Sequence, residues 1–147
     1  MTLQYLLDTG IVSAPIAKIP DQEIVKRLDE YGHQCAIAAP VWHELTYGCH
    51  RLPRGRRRTA VETSLNDVVR ASFPVLPYDD AAATWHGRER ARLEALGRPA
   101  PYVDGQIAAI AHVSSLVVVT LNAKDFRRFA ELKVENWAKR RSQVTGL

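Results

Sequence analysis

The stretch "YLLDTGIVS" (residues 5–13) joins a short apolar run directly to an aspartate. An apolar run of this kind is typical of a β-strand that is buried on both faces of a parallel sheet. We therefore interpret residues 3–7 as a strand, with Asp8 at its carboxyl end. Because sites in open α/β sheets form outside the carboxyl ends of the strands, Asp8 is the first candidate site residue.

Outward from this stretch, short apolar runs alternate with longer segments of helical periodicity. Further strands are predicted at residues 35–39, 73–78, 116–121 and 133–137. Helices are predicted at residues 22–31, from Pro40 through 41–52, and at 57–72, 79–97, 103–115 and 125–130. The alternation predicts an α/β domain with a central parallel sheet of four to five strands between two layers of helices. We expect one domain over residues 1–140 and a flexible polar tail at 141–147.

The charged residues are distributed unevenly along the 147-residue chain, whose formal charge is +4. The segments "RLPRGRRR" (51–58), "RERAR" (88–92) and "KRR" (139–141) concentrate basic side chains. Together they suit a phosphate-bearing partner, although any one such cluster is more often a solvated helix face. Neither a leader segment nor an apolar run of membrane-spanning length is recognisable, so we expect no membrane association and a cytoplasmic protein.

The cysteines and histidines offer no recognisable metal or redox motif. Cys35 and Cys49 have the spacing of neither a zinc pair nor a redox pair. No two histidines have metal-ligand spacing beside an acid, which favours surface or partly buried positions for His43, His50 and His86.

Four carboxylates from separate parts of the chain follow predicted strands or open predicted helices, namely Asp8, Glu44, Asp104 and Asp125. Each alone could be an ordinary helix cap or first-turn residue. Carboxylates that share one site raise each other's pKa values, and a hard divalent cation such as Mg²⁺ or Mn²⁺ removes the conflict. Beside arginine clusters, such a site suggests phosphodiester hydrolysis.

Five segments in order resemble one family. They are "YLLDTGIVS" (5–13), "APVWHELTYG" (39–48), "YVDGQIAAIA" (102–111), "VVVTLNAKDFRRF" (117–129) and "LKVENW" (132–137). Each segment is weak alone, but their order and spacing make the chain similar to the PIN-domain ribonucleases, specifically the VapC-type toxins of toxin–antitoxin pairs.

The resemblance implies a PIN-like three-layer fold and a Mg²⁺- or Mn²⁺-dependent endoribonuclease. It assigns Asp8, Glu44, Asp104 and Asp125 to catalysis and metal binding, Thr120 and Asn122 to orienting them, and Arg54, Arg56, Arg57 and Arg58 to RNA. It also implies a homodimer and a VapB-type antitoxin, whose tail usually enters the active site.

One residue departs from the family pattern, because Gly10 stands where an asparagine is usual. A catalytically weakened PIN-like module that binds RNA or an antitoxin is therefore the alternative function. An aspartic protease also carries Asp-Thr-Gly, but that reading leaves Glu44, Asp104 and Asp125 unexplained. A phosphatase of the haloacid-dehalogenase type would need a second aspartate at position 10.

Overall fold

A five-stranded parallel sheet forms the centre of the structure, a computed structural model that describes residues 2–138. The strands are β1 (Tyr5–Leu7), β2 (Cys35–Ala38), β3 (Val75–Leu76), β4 (Val117–Val119) and β5 (Val134–Glu135). Their order across the sheet is β3-β2-β1-β4-β5, and each neighbouring pair is parallel. The predicted parallel sheet is confirmed. The basic run at 139–141 and the predicted tail at 141–147 lie outside the described residues, and the domain bounds stay a prediction.

Helices flank this sheet. They are α1 (Thr9–Val12), α2 (Gln22–Tyr31), α3 (Ala39–His50), α4 (Arg56–Ser64), α5 (Arg70–Ser72), α6 (Asp80–Ala95), α7 (Tyr102–Val113) and α8 (Ala123–Phe126). Two caps agree with the local sequence, since Asp21 accepts from the backbone of Glu23 and Ile24, and Asp79 accepts from Ala82 N–H. None of the helices among residues 2–138 is long and apolar enough to cross a membrane.

The core includes the three inner strands β2, β1 and β4, each of which has a neighbouring strand on both sides. Leu6, Leu7, Ile37 and Val118 are completely buried. Burying one such side chain contributes about 1.5–3 kcal/mol, so the unbroken apolar run that predicted β1 also anchors the sheet. Helix α7 adds a buried stretch from Ile107 to Ala111 against it.

The helical segment between residues 56 and 72 differs from the prediction. Helices α4 and α5 are joined by a π-helical turn at Leu65–Val69. Helical spacing predicts one apolar face for Leu65, Val68 and Val69. Leu65 and Val69 are buried, but Val68 is 57% exposed and does not share their face. The wider π turn rotates Val68 outward, and a regular helical period could not indicate this.

Three shorter elements also differ from the prediction. Strand β3 spans two residues instead of 73–78, because Pro74 and Pro77 at its borders have no N–H to donate. Helix α8 begins before the predicted residue 125, since the carbonyl of Asn122 accepts from Asp125 N–H at 3.0 Å. Helix α1 follows Asp8 directly and was not predicted.

Candidate active site

The topology places a crevice at the carboxyl ends of β1 and β4. The chain passes from β1 to β2 on one side and later returns to β4 on the other, so the sheet has a switch point between these two strands. Leu7 pairs with Val119. The next residues, Asp8 and Thr120, therefore lie side by side at the position where open α/β sheets bind ligands.

Asp8 is held by two hydrogen bonds before any ligand arrives. Its Oδ1 accepts from the backbone N–H of Thr9 at 2.8 Å, and its Oδ2 accepts from the Thr120 hydroxyl at 2.8 Å. Burial raises the pKa of Asp8, both hydrogen bonds oppose that rise, and the Glu44 charge adds to it. Thr120 is fully buried and accepts in turn from Asn122 N–H at 3.0 Å. Asn122 thus contributes through its backbone N–H.

Glu44 reaches the same crevice from helix α3, which follows β2 and has Pro40 in its first turn. Its Oε2 accepts from the Thr9 hydroxyl at 2.8 Å. Thr9 therefore links two carboxylates, because its N–H donates to Asp8 and its hydroxyl to Glu44. This role of Thr9 was not predicted from the sequence. The one available signal was a threonine directly after a strand-end aspartate.

Asp104 lies in the first turn of α7 and is the most perturbed of the four acids. Burial and the charges of Asp8, Asp125 and Glu44 raise its pKa to about 6, while Arg128 opposes the rise. Asp8, Glu44 and Asp125, which come from three other segments of the chain, therefore lie close enough to Asp104 to influence its pKa.

Asp125 lies in helix α8 and pairs with Arg128, a cation that was not among the predicted site residues. Arg128 Nη2 donates to Asp125 Oδ1 at 3.3 Å, and Arg128 Nη1 donates to the Pro99 carbonyl at 2.6 Å. The arginine thus fixes α8 against the loop that precedes Asp104. Its position one helical turn after Asp125 was the available signal.

The donor set fits a hard, hydrated cation. All four side chains offer oxygen, which Mg²⁺ and Mn²⁺ prefer. Among residues 2–138, no three of these carboxylates bring oxygens within 4.8 Å of one another. This spacing leaves room for metal-bound water between the carboxylates and the ion, and Mg²⁺ usually keeps several waters.

The side chain of Leu121 packs closely against Gly10. A Cβ at position 10 would lie 2.8 Å from Leu121 Cδ1 and 3.3 Å from its Cγ. Leu121 is 46% exposed and stands between Thr120 and Asn122 in the sequence. At the rim of the site, the leucine therefore occupies the space where a larger residue at position 10 would begin.

The structure also places the four candidate RNA-binding arginines and the histidine His86. The candidate RNA-binding residues Arg54 and Arg56–Arg58 lie in the loop before α4 and in its first turn. Within residues 2–138, no hydrogen bond or ion pair joins these arginines to the four carboxylates. The prediction of a surface or partly buried position for His86 is wrong, since this residue is 3% exposed and its Nδ1 lies 2.8 Å from the Tyr78 hydroxyl oxygen.

Known proteins share this architecture over nearly their whole length. The PIN domain family model matches residues 5–132. The tRNA(fMet)-specific endonuclease VapC of Shigella flexneri is 33% identical over 136 residues, which cover 92% of this chain and 99% of that protein. The structure of FitAcB from Neisseria gonorrhoeae has a TM-score of 0.84 at 28% identity, with 90% of this chain and 97% of that one covered. VapBC2 from Rickettsia felis, bound to a promoter DNA fragment, has a TM-score of 0.78 at 27% identity, with 93% and 99% covered.

Proposed function

The chain belongs to the PIN-domain family, and from this premise we propose that it is a VapC-type toxin, a Mg²⁺- or Mn²⁺-dependent endoribonuclease. The observation that carries the proposal is the closeness of three carboxylates, Asp8, Asp125 and Glu44, to Asp104, whose pKa is raised to about 6 by burial and by these three charges. Such mutual repulsion is relieved when a divalent cation binds.

Asp8, Glu44, Asp104 and Asp125 would hold the cation, directly or through water. A bound cation would activate water for attack on a phosphodiester and neutralise the charge that builds on the phosphoryl group. The contribution of the protein is to fix the ligands in advance. Thr120 and Thr9 hold the Asp8 and Glu44 carboxylates in place. Preorganisation of this kind lowers the cost of ordering the site when the cation and RNA bind.

Substrate attraction would come from Arg54, Arg56 and Arg57, which are exposed, and from Arg58, which is partly exposed. Cationic side chains bind RNA phosphates with an affinity that falls as salt rises. Because a relative is named for tRNA(fMet), initiator tRNA is the first substrate to test. A protein with this substrate is expected to act in the cytoplasm.

The partners that follow from the family are an antitoxin of the VapB type and a second copy of the chain. An apolar cleft of about 460 Å³ lies between α2 and the segment around α5. Its lining includes Val25, Leu28, Val68 and Phe73, and Val68 is 57% exposed there. An apolar antitoxin segment in this cleft would remove that surface from water.

The test is cleavage of tRNA by the purified protein. We expect cleavage with Mg²⁺ or Mn²⁺ and none with EDTA. Asp8→Asn and Asp104→Asn should each reduce the rate by at least about 100-fold, since each removes a charge from the metal site. Asp79→Asn is the matched control, because asparagine also caps helices and Asp79 serves only helix α6.

Cleavage that survives both Asp8→Asn and Asp104→Asn would exclude the proposed site. A folded protein that binds RNA or its antitoxin but cleaves no RNA would instead favour the weakened binding module, to which the Gly10 departure points.

A further inference from the structure

The hairpin of α3 and α4 brings together three potential metal ligands whose spacing in the sequence matches no metal-binding motif. Cys49 Sγ, a ring nitrogen of His50 and a carboxylate oxygen of Glu62 all lie within 4.8 Å of one another. His50 Nε2 is 4.0 Å from Glu62 Oε2. Cys49 is buried, whereas the His50 and Glu62 side chains are about half exposed, so the group is open to solvent on one side.

A small cavity adjoins this group and contains an independent sign of a missing polar partner. The cavity has a volume of about 130 Å³, and its lining includes Cys49, His50, Glu62, Thr46 and Asn66. Thr46 Oγ1 is fully buried and has no hydrogen-bond partner, alone among the buried side-chain polar atoms of residues 2–138. A buried hydroxyl without a partner destabilises the protein, and a water in the cavity would satisfy it.

We propose that this hairpin binds Zn²⁺ or a similar thiophilic divalent cation through Cys49, His50 and Glu62, with a water in the cavity as the fourth ligand. One sulfur, one nitrogen and one oxygen donor select zinc over Mg²⁺. Tetrahedral zinc places donor atoms roughly 3.3–3.8 Å apart, so the three atoms must approach one another by at most about 1 Å. The coordinated water would then donate to or accept from Thr46 Oγ1.

Two contacts must change when the cation binds. The Cys49 thiol now lies 3.7 Å from the carbonyl of Arg58, and as a ligand it gives up this bond and releases its proton to solvent. Arg58 Nη2 lies 2.6 Å from His50 Nδ1 and must withdraw, because one ring nitrogen of the ligand carries a proton.

The site has a consequence for the segment that it encloses. Its ligands bracket residues 51–61, which carry the arginines Arg51, Arg54, Arg56, Arg57 and Arg58. Zinc would close this segment into a loop and release the Arg58 guanidinium from His50. The site lies outside the four-carboxylate cluster, and we expect it to bind zinc whether or not the protein cleaves RNA.

The test uses Co²⁺ as a spectroscopic probe of the full-length protein after removal of metal by chelation. The Asp8→Asn/Asp104→Asn protein serves as the parent, so that the carboxylate cluster contributes little. We expect one equivalent of Co²⁺ to give a thiolate-to-cobalt charge-transfer band, displaced by Zn²⁺ but not by excess Mg²⁺. Cys49→Ser should abolish the band, and His50→Gln and Glu62→Gln should each weaken Co²⁺ binding at least tenfold. Arg58→Gln should strengthen binding, since it removes the competing cation.

Cys35→Ser is the matched control, because Cys35 is the other buried thiol and lies in β2. The exposed variants His50→Gln and Glu62→Gln keep the test valid if Cys49→Ser fails to fold. Absence of the band in the parent protein, its loss in Cys35→Ser alone, or unchanged binding in both exposed variants would overturn the proposal.

Discussion

Gly105 provides the sharpest test of how the site is built, because it follows Asp104 and packs against the His86 ring. A Cβ at this position would lie 2.7 Å from His86 Cδ2 and closer still to Nε2. The ring has no room to withdraw, since it is buried and lies within hydrogen-bonding distance of the Tyr78 hydroxyl. Gly105→Ala should gain about 1 kcal/mol in helix propensity and lose about 2–3 kcal/mol to overpacking. We expect a net loss of about 1–2 kcal/mol in the free energy of unfolding.

A second variant isolates the contact between Gly105 and His86. In a His86→Ala background the obstacle is gone, so Gly105→Ala should stabilise the protein by about 1 kcal/mol through helix propensity alone. Urea denaturation of the wild type, both single variants and the double variant gives the coupling energy, expected at about 2–3 kcal/mol. Losses that add within about 0.5 kcal/mol would refute the proposed contact. Cleavage should fall at least about tenfold in Gly105→Ala, because the added methyl displaces Asp104, and recover partly in the double variant.

Three further predictions concern single contacts. Thr120→Val removes the hydroxyl that donates to Asp8, so cleavage at neutral pH should fall about 10–100-fold while the urea midpoint changes little, which rate and denaturation measurements can separate. Gly10→Asn should cost about 1 kcal/mol by crowding Leu121, and Gly10→Asn/Leu121→Ala should not; equal urea midpoints for the two variants would contradict the contact. The hydrogen bonds from Arg92 outweigh burial and lower the pKa of Glu89 below its ordinary 4.5. The contribution of the Glu89 carboxylate to the free energy of unfolding is therefore complete above pH 4.5 and is lost as pH falls through the lowered pKa. Glu89→Gln should cost on the order of 2 kcal/mol at pH 7, and a deficit that does not shrink in acid would contradict this account.

Much of the fold was predictable because local sequence and tertiary burial agree. Residues 5–7 and 116–119 form apolar runs since β1 and β4 both lie inside the sheet. Helix α2 spans the predicted residues 22–31, because Asp21 caps a segment with one apolar face. The four carboxylates were predicted for a similar reason, since the edge where parallel strands end is fixed by topology.

The remaining features depend on contacts between distant segments. Thr9 meets Glu44 only because α1 and α3 both start at the same edge of the sheet. His86 looks like an exposed helix residue until α7 covers it. Cys49, His50 and Glu62 become neighbours through the turn between two helices, so no linear spacing could indicate them. Sequence periodicity carries no information about such pairings.

The hydrogen bond between Thr120 and Asp8 joins residues 112 positions apart. β1 is synthesised first of the five strands yet lies at the centre of the sheet, and it gains β4 as its neighbour only after most of the chain has been translated. During translation, Asp8 is therefore synthesised well before Asp104 and Asp125, which belong to α7 and α8. The four-carboxylate site is therefore not assembled while the chain is only partly synthesised. The cleavage activity proposed for that site would begin late in synthesis.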